Sequence, residues 1–124
     1  MSNRRGITVV AMTAALGGLG ATPCEECVDR WEGSVAASKY VRHTTFVGAG
    51  HRYRVAVVPM DANADLVVSA DQEWPPEPIA CRAATGGKTP DTCEFDSDFS
   101  GPIHVFVVGG AKKTRYEVGI EVAD

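Results

Sequence analysis

The sequence predicts an all-β fold, an antiparallel sandwich or jelly roll of about seven to eight strands stabilised by disulfides. Three observations predict it. From Lys39 to Val122 the apolar residues alternate with polar ones at a period of two. Turn-forming clusters interrupt that alternation about every 8–12 residues. No stretch beyond the N-terminal segment keeps a helical period of about 3.6 residues over three turns. The 13 glycines and 7 prolines of this 124-residue chain supply the turns such a fold needs.

The chain opens with a different pattern. Arg4 and Arg5 precede an apolar run from Ile7 to Leu16, a small-residue stretch Gly17-Gly18-Leu19-Gly20-Ala21 follows, and no acid occurs before Glu25. A basic start, an apolar core and a small-residue end make a secretory signal peptide over residues 1–21. The run is shorter than the roughly 20 residues needed to span a bilayer. Arg4-Arg5 could open a twin-arginine signal, but Gly6-Ile7-Thr8 continues it poorly. Cys24 is an alternative lipid-attachment site, although Ala21-Thr22-Pro23 departs from the usual Leu-x-small pattern. The expected location is secreted or periplasmic, with a lipid-anchored envelope protein as the alternative.

Residues 22–30 form a Cys-x-x-Cys segment, and residues 31–124 the sandwich. Cys24 to Val35 reads as a short helix or an edge strand with Trp31 as a lid. Lys39 to Val47 is a strand with Tyr40, Thr44 and Phe46 on one face. Gly48-Ala49-Gly50 turns the chain into His51–Val58, where Tyr53, Val55 and Val57 point inward. These two strands are expected to form a hairpin. Asp65–Ser69 is a short strand. Trp74-Pro75-Pro76-Glu77-Pro78 cannot be a central strand, because proline has no N–H for the ladder. Ala80–Ala83 and Thr92–Phe95 are short strands around a Gly-Gly-Lys-Thr-Pro turn. Ile103–Val108 reads as buried on both faces. Arg115–Val122 alternates, with Tyr116, Val118, Ile120 and Val122 inward and Glu117 and Glu121 outward.

Charge narrows the function. The whole chain carries 12 basic and 16 acidic residues, for a net −4. Removing residues 1–21 leaves 10 basic against 16 acidic, or −6. That balance gives no electrostatic footprint for nucleic acid or anionic lipid.

The elements carry a resemblance. Phe46-Val47-x-Ala49-Gly50-x-x-Tyr53-x-Val55 is followed by Ala64-Asp65-Leu66-Val67-Val68 and a proline-containing loop. Next come Cys81-Arg82, a glycine turn, Asp91-Thr92-Cys93-Glu94-Phe95, Gly101, Gly109 and the Tyr-x-Val-x-Ile-x-Val strand. Together, from about Trp31 to Val122, they resemble the bacterial pre-peptidase C-terminal domain. The resemblance implies a non-catalytic secreted β-sandwich. Members usually trail secreted hydrolases, can be clipped off after export, and in some cases bind collagen or polysaccharide. The implied partners are therefore polysaccharide, matrix protein or a secreted hydrolase. Two departures stand out. Val67 stands where the family usually has an aromatic, and Cys24-Glu25-Glu26-Cys27 stands in front with no peptidase preceding the domain.

Outside the cytoplasm, four cysteines point to two disulfides. Cys81 and Cys93 fall on adjacent short strands, and antiparallel partners bring Cα atoms to about 4.5–5.5 Å, which suits a disulfide. Closing that loop stabilises by roughly 3 kcal/mol. Cys24 and Cys27 fit a small local disulfide. A redox dithiol would want an electropositive setting, which Glu25 and Glu26 oppose. A zinc site would need two further ligands. Pairings of 24 with 81 and 27 with 93, or 24 with 93 and 27 with 81, remain open.

Asp61, Asn63 and Asp65 have the alternate spacing of oxygen ligands in a calcium loop. Leu66 and Gln72 stand where an EF-hand needs Gly and Glu, so the bland alternative is an Asx-type turn before a strand. No cofactor is expected, calcium at this loop being the one alternative kept. Asp96-Ser97-Asp98 is a second oxygen cluster best read as a solvated loop. His43, His51 and His104 stand at no metal-ligand spacing, and no hydrolase or phosphate-loop motif occurs. Ser34 and Ser38 are selected by no surrounding motif, and Gly86-Gly87-Lys88-Thr89 lacks phosphate-loop spacing. Trp74 sits in a proline-rich loop, where it can stack on a sugar or a partner's side chain or fold back over the proline rings.

Overall fold

The computed structural model describes residues 22–124, so the signal segment expected over residues 1–21 lies outside the described residues. Eight strands follow in order: β1 Asp29–Val35, β2 Tyr40–Val47, β3 Arg52–Pro59, β4 Ala64–Ser69, β5 Cys81–Ala83, β6 Asp91–Asp96, β7 Gly101–Gly109 and β8 Thr114–Val122. They make two four-stranded antiparallel sheets, the first ordered β1-β8-β3-β6 and the second β2-β7-β4-β5. Strand one pairs with eight, two with seven, three with six and four with five. The chain is thus one long antiparallel hairpin rolled over on itself, which is a jelly roll.

Alternation explains each layer. In β8, Tyr116, Val118 and Ile120 point into the sandwich and are fully buried, as are Val55 and Val57 of β3. From the other sheet Leu66, Val68, Ile103, Val105 and Val107 meet them. Strand β7 is buried on both faces from Ile103 to Val107. Val122, expected inward, is 45% exposed because β8 runs past the edge of the core there.

Two expectations about pairing are corrected. First, β2 and β3 are not a hairpin: β2 lies in the second sheet and β3 in the first. Gly48-Ala49-Gly50 carries the chain across the sandwich, with Gly50 at φ 88°, a conformation glycine adopts without strain. Backbone N–H groups of Gly48, Ala49 and Gly50 donate to Tyr53 Oη, Ser100 Oγ and Ser97 O, which hold the crossing in place. Second, Cys81 and Cys93 are joined, but not across neighbouring strands of one sheet. Cys81 is on β5 in the second sheet and Cys93 on β6 in the first, with Cα atoms 5.8 Å apart. The bond staples the two layers at one open side. At the opposite side, Trp31 of β1 stacks on His43 of β2 with centroids 4.9 Å apart, and His43 Nε2 lies 2.7 Å from Tyr116 Oη. One side of the sandwich is closed covalently and the other by an aromatic contact.

Candidate ligand-binding face

The outer faces of the two sheets differ in chemistry. On the first sheet, arginines and acids alternate and pair: Arg30 with Glu117, Arg54 with Glu121, and Arg52 with Glu94 and Asp96. The Cys24–Cys27 disulfide also lies here, flat against Gly119; a Cβ at that position would come within 2.7 and 2.8 Å of the two sulfurs. Pro23 and Cys24 are buried by this contact. With Sγ of Cys24 bonded to Cys27, lipid attachment at Cys24 and this disulfide exclude one another.

The second sheet presents aromatics instead. In β2 the polar residues His43 and Thr45 face inward with Val41 and Val47, so Tyr40, Arg42, Thr44 and Phe46 face outward. Phe106 of β7 is outward-facing yet fully buried, because Tyr40 and Trp74 cover it. Trp74 stacks on Tyr40 with centroids 4.7 Å apart and 24° between planes, and tilts over Phe106 at 5.3 Å. Trp74 remains 39% exposed and Tyr40 42%, so the cluster is an open aromatic platform with a buried footing.

The loop of residues 70–80 between β4 and β5 is built to hold Trp74 there. The Asp71 carboxylate accepts hydrogen bonds from the N–H groups of Glu73 and Glu77, at 3.0 and 3.1 Å. Those donors hold its pKa below the ordinary aspartate value. Ser69 Oγ donates to Pro78 O at 2.6 Å and accepts from Asp71 N at 3.0 Å, closing the base of the loop. Arg42 Nη1 donates to Gln72 O at 2.8 Å and ties the loop to β2. Beside it, His104 is buried under the loop with Nδ1 2.8 Å from Thr44 Oγ1, and burial, seconded by Arg42, lowers its pKa.

The structure brings the expected site residues together unevenly. Trp74 joins Tyr40 and Phe106. Asp61, Asn63 and Asp65 do not converge. The Asp61 carboxylate accepts from Arg115 N and Nε at 3.0 Å and from Nη2 at 2.9 Å, which holds its pKa well below the carboxylate range. Asn63 turns its amide N–H, a donor, toward Asp65 Oδ1. Among the described residues no group of three His, Cys, Asp or Glu is gathered for a metal ion. His51 meets Asp124, and His43 is committed to Tyr116 and Trp31. Sequence reasoning missed Asp71, Arg42 and Phe106 as supports of Trp74. Only Tyr40 had a signal, its place on one face of its strand with Thr44 and Phe46, a face that the structure shows to be the outer one.

The class that this architecture defines is the eight-stranded jelly-roll sandwich. No protein-family model matches the chain, and no curated protein matches it. Solved structures do. The periplasmic inhibitor of g-type lysozyme PliG from Aeromonas hydrophila superposes with a TM-score of 0.61 at 16% identity, covering 77% of this chain and 85% of that one. The pre-peptidase C-terminal domain of a collagenase from Bacillus anthracis gives 0.60 at 14% identity, covering 75% and 88%. These likenesses establish a shared fold. Among the described residues no helix is long and apolar enough to cross a membrane.

Proposed function

We propose that the protein is an exported, non-catalytic binding module of the pre-peptidase C-terminal kind, and that it binds polysaccharide through Tyr40 and Trp74. One observation carries this reading: two half-exposed aromatic rings are fixed on a buried third by a loop braced from within by the hydrogen bonds of Asp71. Such a platform meets the C–H faces of a sugar without ordering flexible side chains on binding. The shared fold with a collagenase domain and a periplasmic lysozyme inhibitor supports work outside the cytoplasm.

The test is affinity electrophoresis through gels containing a panel of neutral and acidic polysaccharides, with collagen pull-down in parallel. Trp74→Ala and Tyr40→Ala should each weaken glycan retardation by roughly three- to tenfold. Retardation unchanged by both substitutions would refute the platform. A second reading, an envelope interaction protein without a glycan ligand, is favoured by Phe46, which is 70% exposed at the far end of the same face. On that reading no polysaccharide in the panel retards the protein, and Phe46→Ser abolishes its capture of a partner protein.

A further inference from the structure

The six arginines among residues 22–124 divide by sheet. Arg30, Arg52, Arg54 and Arg115 belong to the first sheet, and each meets a carboxylate. Arg42 and Arg82 belong to the second sheet, and neither meets one among the described residues. Both are exposed on its outer face. They also stand in one row across it, since Arg42 pairs with Phe106, Phe106 with Val67, and Val67 with Arg82. Neighbouring strands are about 4.8 Å apart, so three steps separate the two Cα atoms by roughly 14 Å. Between them lies Phe106 with Tyr40 and Trp74 above it.

We infer that this face takes an anionic polysaccharide, one carrying carboxylate or sulfate groups at intervals, with its sugar rings on Tyr40 and Trp74 and its charges on Arg42 and Arg82. This deepens the glycan reading above and rests on it. Charge complementarity selects the ligand: each arginine of the first sheet meets a carboxylate, whereas among the described residues the two that flank the aromatics meet none, Arg42 donating only to the neutral Gln72 O. A guanidinium grips a carboxylate or sulfate through parallel N–H donors, which suits a charge that must be met in one orientation. The acids nearby limit how dense that charge can be. Asp65 lies on the same face, and Asp71, Glu73 and Glu77 lie in the covering loop, Asp71 turned inward to the N–H groups of Glu73 and Glu77. A polyanion with a charge every 1.7 Å or so, such as duplex nucleic acid, would be repelled by them. A glycan with separated charges can hold its anions at the arginines.

The experiment compares polygalacturonate with the same polymer fully methyl-esterified, so that backbone is constant and charge is removed. The proteins are the wild type, Arg82→Gln, Arg42→Gln, Arg42→Lys and Trp74→Ala, each checked for an unchanged melting temperature. Arg82→Gln is the cleanest variant, because its side chain holds nothing in place; Arg42→Lys keeps the charge if loss of the Gln72 contact disturbs the loop. The acid form should bind the wild type more tightly than the ester and weaken with added salt. Arg82→Gln should weaken it by roughly threefold to fivefold and leave ester binding unchanged. Equal binding of acid and ester, or no effect of Arg82→Gln, overturns the inference; a continuing loss in Trp74→Ala then leaves the platform standing. Binding of poly-glutamate in place of polygalacturonate also overturns it. Failure to bind any glycan, neutral or acidic, overturns both readings.

Discussion

Gly119→Ala tests the packing of the N-terminal segment most directly. A Cβ on Gly119 would sit 2.7 Å from Cys24 Sγ, 2.8 Å from Cys27 Sγ and 3.3 Å from Pro23 Cβ. Real Cβ atoms do not approach so closely, and the two sulfurs, tied to each other, cannot swing away singly. The segment must therefore lift from β8, and its hydrogen bond from Val28 N to Ile120 O pulls against that movement. Overpacking of this kind costs about 1–3 kcal/mol. Against it stands a gain of about 0.5–1 kcal/mol, because alanine loses less backbone entropy than glycine in a strand. The net cost expected in the wild type is about 1–2 kcal/mol. In a Cys24→Ala/Cys27→Ala background the sulfurs are gone, so the same substitution should become neutral or slightly stabilising. The coupling between the sites is then about 2 kcal/mol. Unfolding entropy near 2.1 cal/mol/K per residue converts this to roughly 9 °C of melting temperature for the folded unit. Urea unfolding of the four proteins of the cycle measures it. An equal cost for Gly119→Ala in both backgrounds would refute the account, since the steric partner would then lie elsewhere.

Three further outcomes are expected. Replacing Cys81 and Cys93 by alanine opens a loop closed over a sequence separation of 12, and loop entropy puts the loss at about 3 kcal/mol; a calorimetric melting temperature lowered by less than a few degrees would contradict the stapling role. Burial lowers the pKa of His43 from its ordinary 6.5, with Asp29 opposing, so the unfolded chain binds the proton more readily. Stability should therefore fall as pH drops below about 6.5 and level off below the folded value, and His43→Gln should flatten the part of that slope that His43 contributes, read from melting temperature between pH 4 and 8. Millimolar calcium should leave the melting temperature of chelator-treated protein unchanged, because Arg115 already neutralises Asp61; a rise of several degrees would reinstate the calcium loop.

Periodicity made much of the fold legible. Tyr116, Val118 and Ile120 could be assigned to the core because a strand shows its two faces at alternate residues, and that pattern survives in a single sequence. Pairing partners were not legible for the same reason. Alternation says which face of a strand is buried, not which strand lies beside it. A glycine turn of three residues serves a hairpin or a sheet crossing equally well, so β2 and β3 read as neighbours although they belong to opposite layers. The disulfide suffered the same ambiguity, since two cysteines on opposite sheets at an open side come as close as two on neighbouring strands. At the ligand face, Trp74 was visible as an unusual residue in an unusual loop. Its footing was not, because Phe106 looked like one more residue in a doubly buried strand.

The position of that loop follows from the topology. Among the described residues, six of the seven connections between strands cross from one sheet to the other. Their backbone is spent spanning the ends of the sandwich, and glycine turns and short tethers suffice for it. Only the link from β4 to β5 joins neighbours in one sheet, so it alone is free to lie back over the surface it came from. It is the tip of the rolled hairpin, and it spans residues 70–80, far longer than two adjacent strands require. A tip of that length without internal bonds would be costly to order. Here Ser69, Asp71 and Arg42 supply those bonds and place an indole where the face needs one. The same sheet carries the two arginines that meet no carboxylate among the described residues, whereas the opposite sheet covers itself with ion pairs and a disulfide-clamped segment. A fold that seals one face and furnishes the other is the division that the proposed glycan-binding role of the second sheet requires. If so, Asp71→Asn, which weakens the loop's hub without touching the aromatics, should reduce glycan retardation while leaving the melting temperature within a few degrees of wild type; unchanged retardation would sever the link between the loop's order and its use.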